Sequence, residues 1–344
     1  MNKVIQQDIE LFVKTFELTK ELSGKTFIVT GATGLIGSTL IRCLLALNVN
    51  INIICPVRNI TKAEKLFGHL EVQKQKNLIF VEYGVYDNIS IVDYIIHCAA
   101  PTSSRFFVEH PVETFNAILD GTSALLKYAT SHSVKGFVYL SSLEVYGEIC
   151  NDSNNICEET QGYINPMSVR SSYPMAKRAA ETLCCLYANK YDIPVMVARL
   201  TQTTGAGVSK EDNRVITQFA RLASIGKDIV LHTTGESARP YCYTIDCVSA
   251  LLYVLLRGVK GTAYNIANPQ TYISVKDMAQ YVRENFNPNI EVVFDLKDDM
   301  GYSPFTKQRL STDRLEELGW KPQFGLKDIF TRLISYLKEE ALSQ

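Results

Sequence analysis

The stretch TGATGLIGS, residues 30–38, decides the fold. It follows an apolar run, TFIVT (26–30), and opens into GLIGSTLIRCLLAL (34–47), whose apolar residues recur at helical spacing. Three glycines, Gly31, Gly34 and Gly37, occupy the turn. Without side chains they let the chain turn tightly and let backbone N–H groups approach an anion, where a helix N-terminus also favours negative charge. With a strand before it and a helix after it, the pattern predicts a cradle for a dinucleotide's pyrophosphate.

Outward from this turn, strand and helix signals alternate. INIICPV (51–57), NLIFVEY (77–83), VDYIIHCAA (92–100), GFVYLSS (136–142) and IPVMVARL (193–200) read as strands. ETFNAILDGTSALLKYATSH (113–132) and SYPMAKRAAETLCCLYANKYD (172–192) read as helices. Several strands are unbroken apolar runs, as expected when helices cover both sheet faces. Repeated βα units predict an α/β fold with a doubly wound parallel sheet. Beyond residue 200, short strands (DIVLHT, TAYNIAN, EVVFDL) mix with four helical segments, which predicts a smaller C-terminal α/β substrate lobe. The expected organisation is an amphipathic helix over 1–23, a dinucleotide-binding domain over 24–200 and the lobe over 201–344, with some segments of the last returning to the main sheet. Residues 150–172 are rich in turn formers and read as a surface loop near the site.

Composition narrows the function. A net charge of −1 gives no electrostatic footprint for nucleic acid. No apolar stretch reaches membrane-spanning length, and the N-terminus lacks the apolar core of a leader peptide. Nine cysteines, without a C-x-x-C pair, read as reduced thiols of a cytoplasmic protein, and the five histidines show no metal-ligand spacing.

At the end of the second strand a carboxylate would bind the adenosine ribose. Here stand Arg58 and Asn59, and an arginine there can face a 2′-phosphate, so the cofactor reads as NAD or NADP. In SYPMAKR, Tyr173 and Lys177 lie one helical turn apart on one face. A neighbouring ammonium favours the phenolate and would make Tyr173 a base; Ser142, at a strand end, could hydrogen-bond the same substrate oxygen.

GATGLIGS, HCAAPTS, YLSSLEVYG, YPMAK and ARPYCYTID occur in an order that resembles the extended short-chain dehydrogenase/reductase family, in its nucleotide-sugar branch, over residues 24–335. The resemblance implies a Rossmann-like fold, a tightly bound NAD or NADP, an NDP-sugar in the C-terminal lobe and a homodimer joined through helices that include the one bearing Tyr173. It makes Ser142, Tyr173 and Lys177 catalytic. It assigns Gly31, Thr33, Gly34, Leu35, Ile36, Gly37, Arg58, Ala99, Ala100, Tyr173 and Lys177 to the cofactor, and Pro101, Ser103, Arg170, Thr201 and Arg239 to the substrate. Asn116 matches a structural asparagine of the pattern or a plain helix-surface residue. No metal is implied.

Ser142-Leu143-Glu144 separates the reactions of this branch. The 4,6-dehydratases resemble Thr-Asp-Glu here, the aspartate acting as acid on the C6 hydroxyl. Leu143 cannot protonate a leaving hydroxyl, so dehydration is disfavoured. The UDP-glucuronate decarboxylases resemble Thr-Ser-Glu; Glu144 is kept, although Leu143 replaces their serine. HCAAPTS and NPMSVRSSY are also similar to that subgroup. The expectation is an enzyme that oxidises C4 of an NDP-sugar at a decarboxylase-like site, with Glu144 catalytic. An NDP-sugar 4-epimerase, an NADPH-dependent 4-keto-sugar reductase and a non-catalytic nucleotide-binding sensor or scaffold stay open.

Overall fold

Strand Lys25–Thr30 lies inside a seven-stranded sheet, next to its central strand. In the computed structural model, which describes residues 1–70, 72–86, 89–297 and 305–342, the strand order is 263–266, 195–200, 136–142, 94–97, 25–30, 51–57, 78–82. Every neighbouring pair is parallel. The chain runs outward from 25–30 to 78–82 and then crosses back to 94–97 on the other side. That reversal opens a crevice at the carboxyl ends of Lys25–Thr30 and Tyr94–His97, where such sheets bind ligands.

The apolar runs have the expected cause. Phe27 and Val29 enter one core cluster and Ile28 enters the other, so successive residues of one strand are buried on opposite faces. Helix Thr244–Arg257 is apolar almost all round because it packs on strands 136–142 and 195–200, on helix Leu35–Ala46 and on the N-terminal helix.

TAYNIAN does not sit in the lobe. Ala263–Ile266 pairs in parallel with Val195–Leu200 as the edge strand of the main sheet, and helix Thr244–Arg257 lies between that strand and the lobe's Ala238–Tyr243 in the chain. Asn265 is completely buried there and fully hydrogen-bonded. Its amide NH₂ donates to the carbonyls of Ile156 and Ser311, its Oδ1 accepts from the Tyr146 hydroxyl, and its backbone N–H donates to Glu158. Arg314 donates to the neighbouring Ala263 carbonyl.

The rest of the C-terminal part forms a three-stranded sheet (Asn268–Ser274, Ala238–Tyr243, Gln202–Thr204) and a parallel pair, Ile229–Leu231 with Val292–Phe294. Residues 298–304, 343 and 344 of the predicted 201–344 lobe lie outside the described residues. The predicted surface loop, 150–172, is only partly superficial: Ile156 and Glu158 are buried, and Ile156 bridges to Leu310. At the N-terminus, helix Lys3–Thr15 buries Phe12 and Asp8. Asp8 accepts from the Tyr243 hydroxyl at 2.6 Å and pairs with Arg332 of helix Leu326–Leu342; burial still pushes its carboxyl up to about 6. Among the described residues no helix is long and apolar enough to cross a membrane.

Candidate active site

The glycine turn is built as a cradle. Gly31 has φ +69°, a left-handed conformation, and a Cβ on it would lie 2.9 Å from the Ala99 backbone nitrogen. A Cβ on Gly37 would run into the Gly31 carbonyl. Gly34 caps helix Leu35–Ala46 without any side chain bonding to its N-terminal amides, so the amides of Leu35, Ile36 and Gly37 lack a side-chain cap. Gly34, exposed Thr33, Leu35 and Ile36 line this mouth. A closely turned backbone in front of an uncapped helix N-terminus fits a pyrophosphate. Gly37→Ala is expected to weaken dinucleotide binding about tenfold or more, since overpacking costs about 1–3 kcal/mol; a fluorescence titration checks this.

Beside the cradle, Thr30 and His97 end adjacent strands. Thr30 Oγ1 meets His97 Nδ1 at 2.7 Å and accepts from the Ala99 amide at 3.1 Å. This bracket fixes the Ala99–Ala100–Pro101 bend at the crevice. Burial, then the Lys177 charge, holds His97 down to about 3, so the ring is neutral at physiological pH. The unfolded chain takes up that proton first, near pH 6.5, so His97 contributes stability above pH 6.5 that is lost as pH falls towards 3. Relative to a His97→Gln variant, the wild type is expected to lose about 1.4 kcal/mol more per pH unit over that window. Urea melts from pH 7 to pH 4 measure the difference.

The next strand, Gly136–Ser142, runs directly into a 3₁₀ turn, Leu143–Tyr146. Ser142 Oγ accepts from the Glu144 amide at 3.2 Å, and its side chain acts on the Tyr173 phenol in the direction that favours the phenolate. Leu143 is buried with Val145, Tyr146, Ile156, Ala267 and Leu310, an apolar cluster that leaves no acid at this position. Glu144 is held by Arg170, whose Nη2 lies 3.2 Å from Oε1 and 3.0 Å from Oε2. The Arg170 guanidinium rests over the Phe107 ring at 5.3 Å. Phe107 in turn stacks on Tyr173, with centroids 4.2 Å apart and planes within 9°.

Tyr173 and Lys177 share one face of helix Ser172–Tyr191, and both are buried. Their electrostatics differ from the sequence-based expectation. Burial, then the Glu144 charge, pushes the phenol well above its ordinary value, opposed by the Ser142 hydrogen bond and by Arg170. Lys177 Nζ donates to the Leu140 carbonyl at 2.6 Å and sits 5.8 Å from the Tyr173 ring centroid. Burial lowers its ammonium to about 8. Lys177 is thus held by the Leu140 carbonyl, with burial lowering its ammonium, and the Arg170 charge favours the Tyr173 phenolate.

A sequence model of the NAD dependent epimerase/dehydratase family matches residues 27–267. The chain belongs to this family. It is 30% identical over 312 residues to UDP-glucuronic acid decarboxylase 5 of Arabidopsis thaliana, covering 89% of the chain and 87% of that protein. Among solved structures it is similar to UDP-glucose 4-epimerase with UDP-glucose from Thermotoga maritima (TM-score 0.76, 22% identity, 92% and 99% coverage). It is also similar to the dTDP-glucose 4,6-dehydratase DesIV from Streptomyces venezuelae with NAD and TYD bound (TM-score 0.75, 22% identity, 92% and 98% coverage). These two likenesses show the same fold, a parallel central sheet flanked by helices.

As a member of an NAD-dependent enzyme family, the chain puts its remaining candidates in different places. Arg58 is exposed at the end of Ile51–Val57, its charge acting on Tyr83, while Asn59 caps the following helix. Ser103 is exposed and caps helix Ser104–Glu109. Thr201 is buried and its hydroxyl donates to the Pro240 carbonyl, tying the end of strand 195–200 to the strand that begins near Arg239. Arg239 donates to Thr306 at 3.3 Å and makes no ion pair among the described residues. Asn116 is exposed on helix Pro111–Thr130, in line with the helix-surface reading. The contacts thus gather Ser142, Glu144, Arg170 and Tyr173 into one group, with Lys177 beside it, and hold Ser103, Arg58 and Arg239 on other partners. Sequence reasoning missed Phe107 and the role of His97. The adjacent aromatics Phe106-Phe107 after HCAAPTS were the available signal for the first.

Proposed function

We propose that the protein decarboxylates a nucleotide-linked uronic acid after oxidising its C4. The observation that carries this reading is a carboxylate, Glu144, paired with an arginine beside the Ser142–Tyr173 pair. The resemblance to a protein named UDP-glucuronic acid decarboxylase supports it. Bound nicotinamide would supply hydride acceptance from C4 and its later return. Gly31, Gly34, Gly37 and the Leu35–Gly37 amides would hold its pyrophosphate, and Lys177 its ribose. Arg58, exposed at the end of Ile51–Val57, could face a 2′-phosphate, so the reading takes in both NAD and NADP.

Tyr173 takes the 4-hydroxyl proton and Ser142 hydrogen-bonds the same oxygen. The C4 ketone turns the C5 carboxylate into a β-keto acid. The C5–C6 bond breaks, its electron pair moves onto the C4 oxygen as an enolate, and CO₂ leaves. C5 then takes up a solvent proton relayed by Glu144, and Tyr173 returns its proton to the 4-oxygen. Leu143 supplies no acid for a C6 hydroxyl, which weighs against dehydration. A homodimer and a cytoplasmic location belong to the same reading. Val112, Leu186 and Tyr191, exposed on the mutually packed helices Pro111–Thr130 and Ser172–Tyr191, support the dimer.

The test is incubation with UDP-, dTDP-, GDP- and CDP-linked sugars followed by mass spectrometry. Loss of about 44 mass units from a uronate is the expected result, since the cofactor leaves no net redox change. Loss of about 18 would mean dehydration, and an unchanged mass with altered NMR couplings would mean epimerisation; either overturns the reading.

A further inference from the structure

We propose that Arg170 is a carboxylate-exchange residue, which holds Glu144 until a substrate carboxylate takes its place, and so selects a uronic acid over a neutral hexose. The inference rests on the reading above for the sugar's position.

Arg170 and Glu144 form a half-open pair, with side chains 19% and 30% exposed. Such a pair is within reach of a ligand and is not sealed in the core. Arg170 lies three residues before Tyr173, at the mouth of the helix that carries it. The 4-oxygen of the sugar must touch Tyr173, and the C5 carboxylate is attached to the neighbouring carbon. A uronate therefore brings its charge beside Arg170. A carboxylate offers a guanidinium two oxygens in a fork, which is among the stronger polar contacts available.

The floor under Arg170 permits the exchange. Its guanidinium lies on the flat face of Phe107, a cation–π contact that tolerates sliding and persists whichever carboxylate is bound. Phe107 cannot slide with it. It is buried, stacked on Tyr173, and its carbonyl accepts from Ser172 Oγ at 3.1 Å. Phe107 is thus a positioning residue that keeps the moving cation and the fixed phenol at a constant spacing. When Arg170 turns to the incoming carboxylate, Glu144 is released beside C5. A neutral hexose brings no competing charge, so Arg170 stays on Glu144. Recognition of the substrate and release of the acid–base group become one event.

Equilibrium binding tests this without turnover, using UDP-glucuronate and UDP-glucose as probes on the dinucleotide-loaded protein. The wild type is expected to prefer the uronate. Arg170→Gln should weaken uronate binding about tenfold or more, as for loss of a charge-assisted contact, and leave UDP-glucose within about twofold. Arg170→Lys should recover part of the preference. Glu144→Gln should tighten uronate binding, because the internal competitor is gone; this variant decides the matter if Arg170→Gln does not fold. Phe107→Leu should erode the preference and Phe107→Tyr should restore it. Equal weakening of both probes by Arg170→Gln, or weaker uronate binding by Glu144→Gln, overturns the exchange. Absence of CO₂ release from every UDP-, dTDP-, GDP- and CDP-linked uronate by the wild type overturns the proposed function instead, and the binding preference is scored independently of it.

Discussion

Tyr173→Phe is expected to lower kcat by about 10²–10⁴-fold, the usual loss when a positioned acid–base group is removed. Dinucleotide binding and thermal stability should stay close to wild type. The reason lies in what phenylalanine keeps. The ring stacked on Phe107 at 4.2 Å survives, and only the hydroxyl that meets Ser142 is lost. Ser142 is only partly buried and keeps the Glu144 amide as a partner, so removal of the Tyr173 hydroxyl strands little. Steady-state kinetics on whichever sugar nucleotide is turned over, together with a cofactor titration, gives the two numbers needed. Full activity in the variant would remove Tyr173 as the base. Loss of cofactor binding along with activity would make it a structural residue.

Glu144→Gln carries the second large effect. Steady-state turnover should fall by about 10²–10⁴-fold, with C4 oxidation and the first loss of CO₂ spared. The decarboxylated C4-oxidised intermediate and reduced nicotinamide should then accumulate, visible as a rise in absorbance that the wild type shows only transiently. Glutamine keeps the shape and can still accept from Arg170, but it no longer exchanges a proton. An enzyme that only rotates a 4-keto sugar and returns the hydride has no use for a proton at C5, so a 4-epimerase would tolerate the change. A loss below tenfold in steady-state turnover would therefore count against Glu144 as the group that handles the C5 proton. The contrast with tighter uronate binding in the same variant is specific: one substitution is expected to raise affinity and depress turnover.

Much of this architecture could be read from the chain because local signals and global packing agree. Gly31 to Gly37 sit between a run that can only be a buried strand and a run that can only be a helix, and the turn they make is the one observed. The destination of Ala263–Ile266 was harder. Four residues between a helix and a longer strand carry no label for which sheet they join, and the answer depends on where helix Thr244–Arg257 lands. At the site, residue types and order pointed to Ser142, Glu144, Tyr173 and Lys177, but spacing alone carried no sign of their burial. Tyr173 and Lys177 at i and i+4 suggest a direct electrostatic partnership; burial of both groups and the Leu140 carbonyl redirect it. Phe107 was invisible for a different reason. An aromatic in a short helix reads as core filling, and only its simultaneous contacts with Arg170 and Tyr173 distinguish it.

Asn265 and its neighbours bear on how this protein avoids sticking to itself. A parallel sheet exposes an unpaired outer rim on its last strand, and such rims recruit strands from other molecules. Here that rim is plugged: Glu158 occupies the Asn265 amide and Arg314 the Ala263 carbonyl. A strand adding on that side would find these two groups already taken, by side chains that take no part in the chemistry.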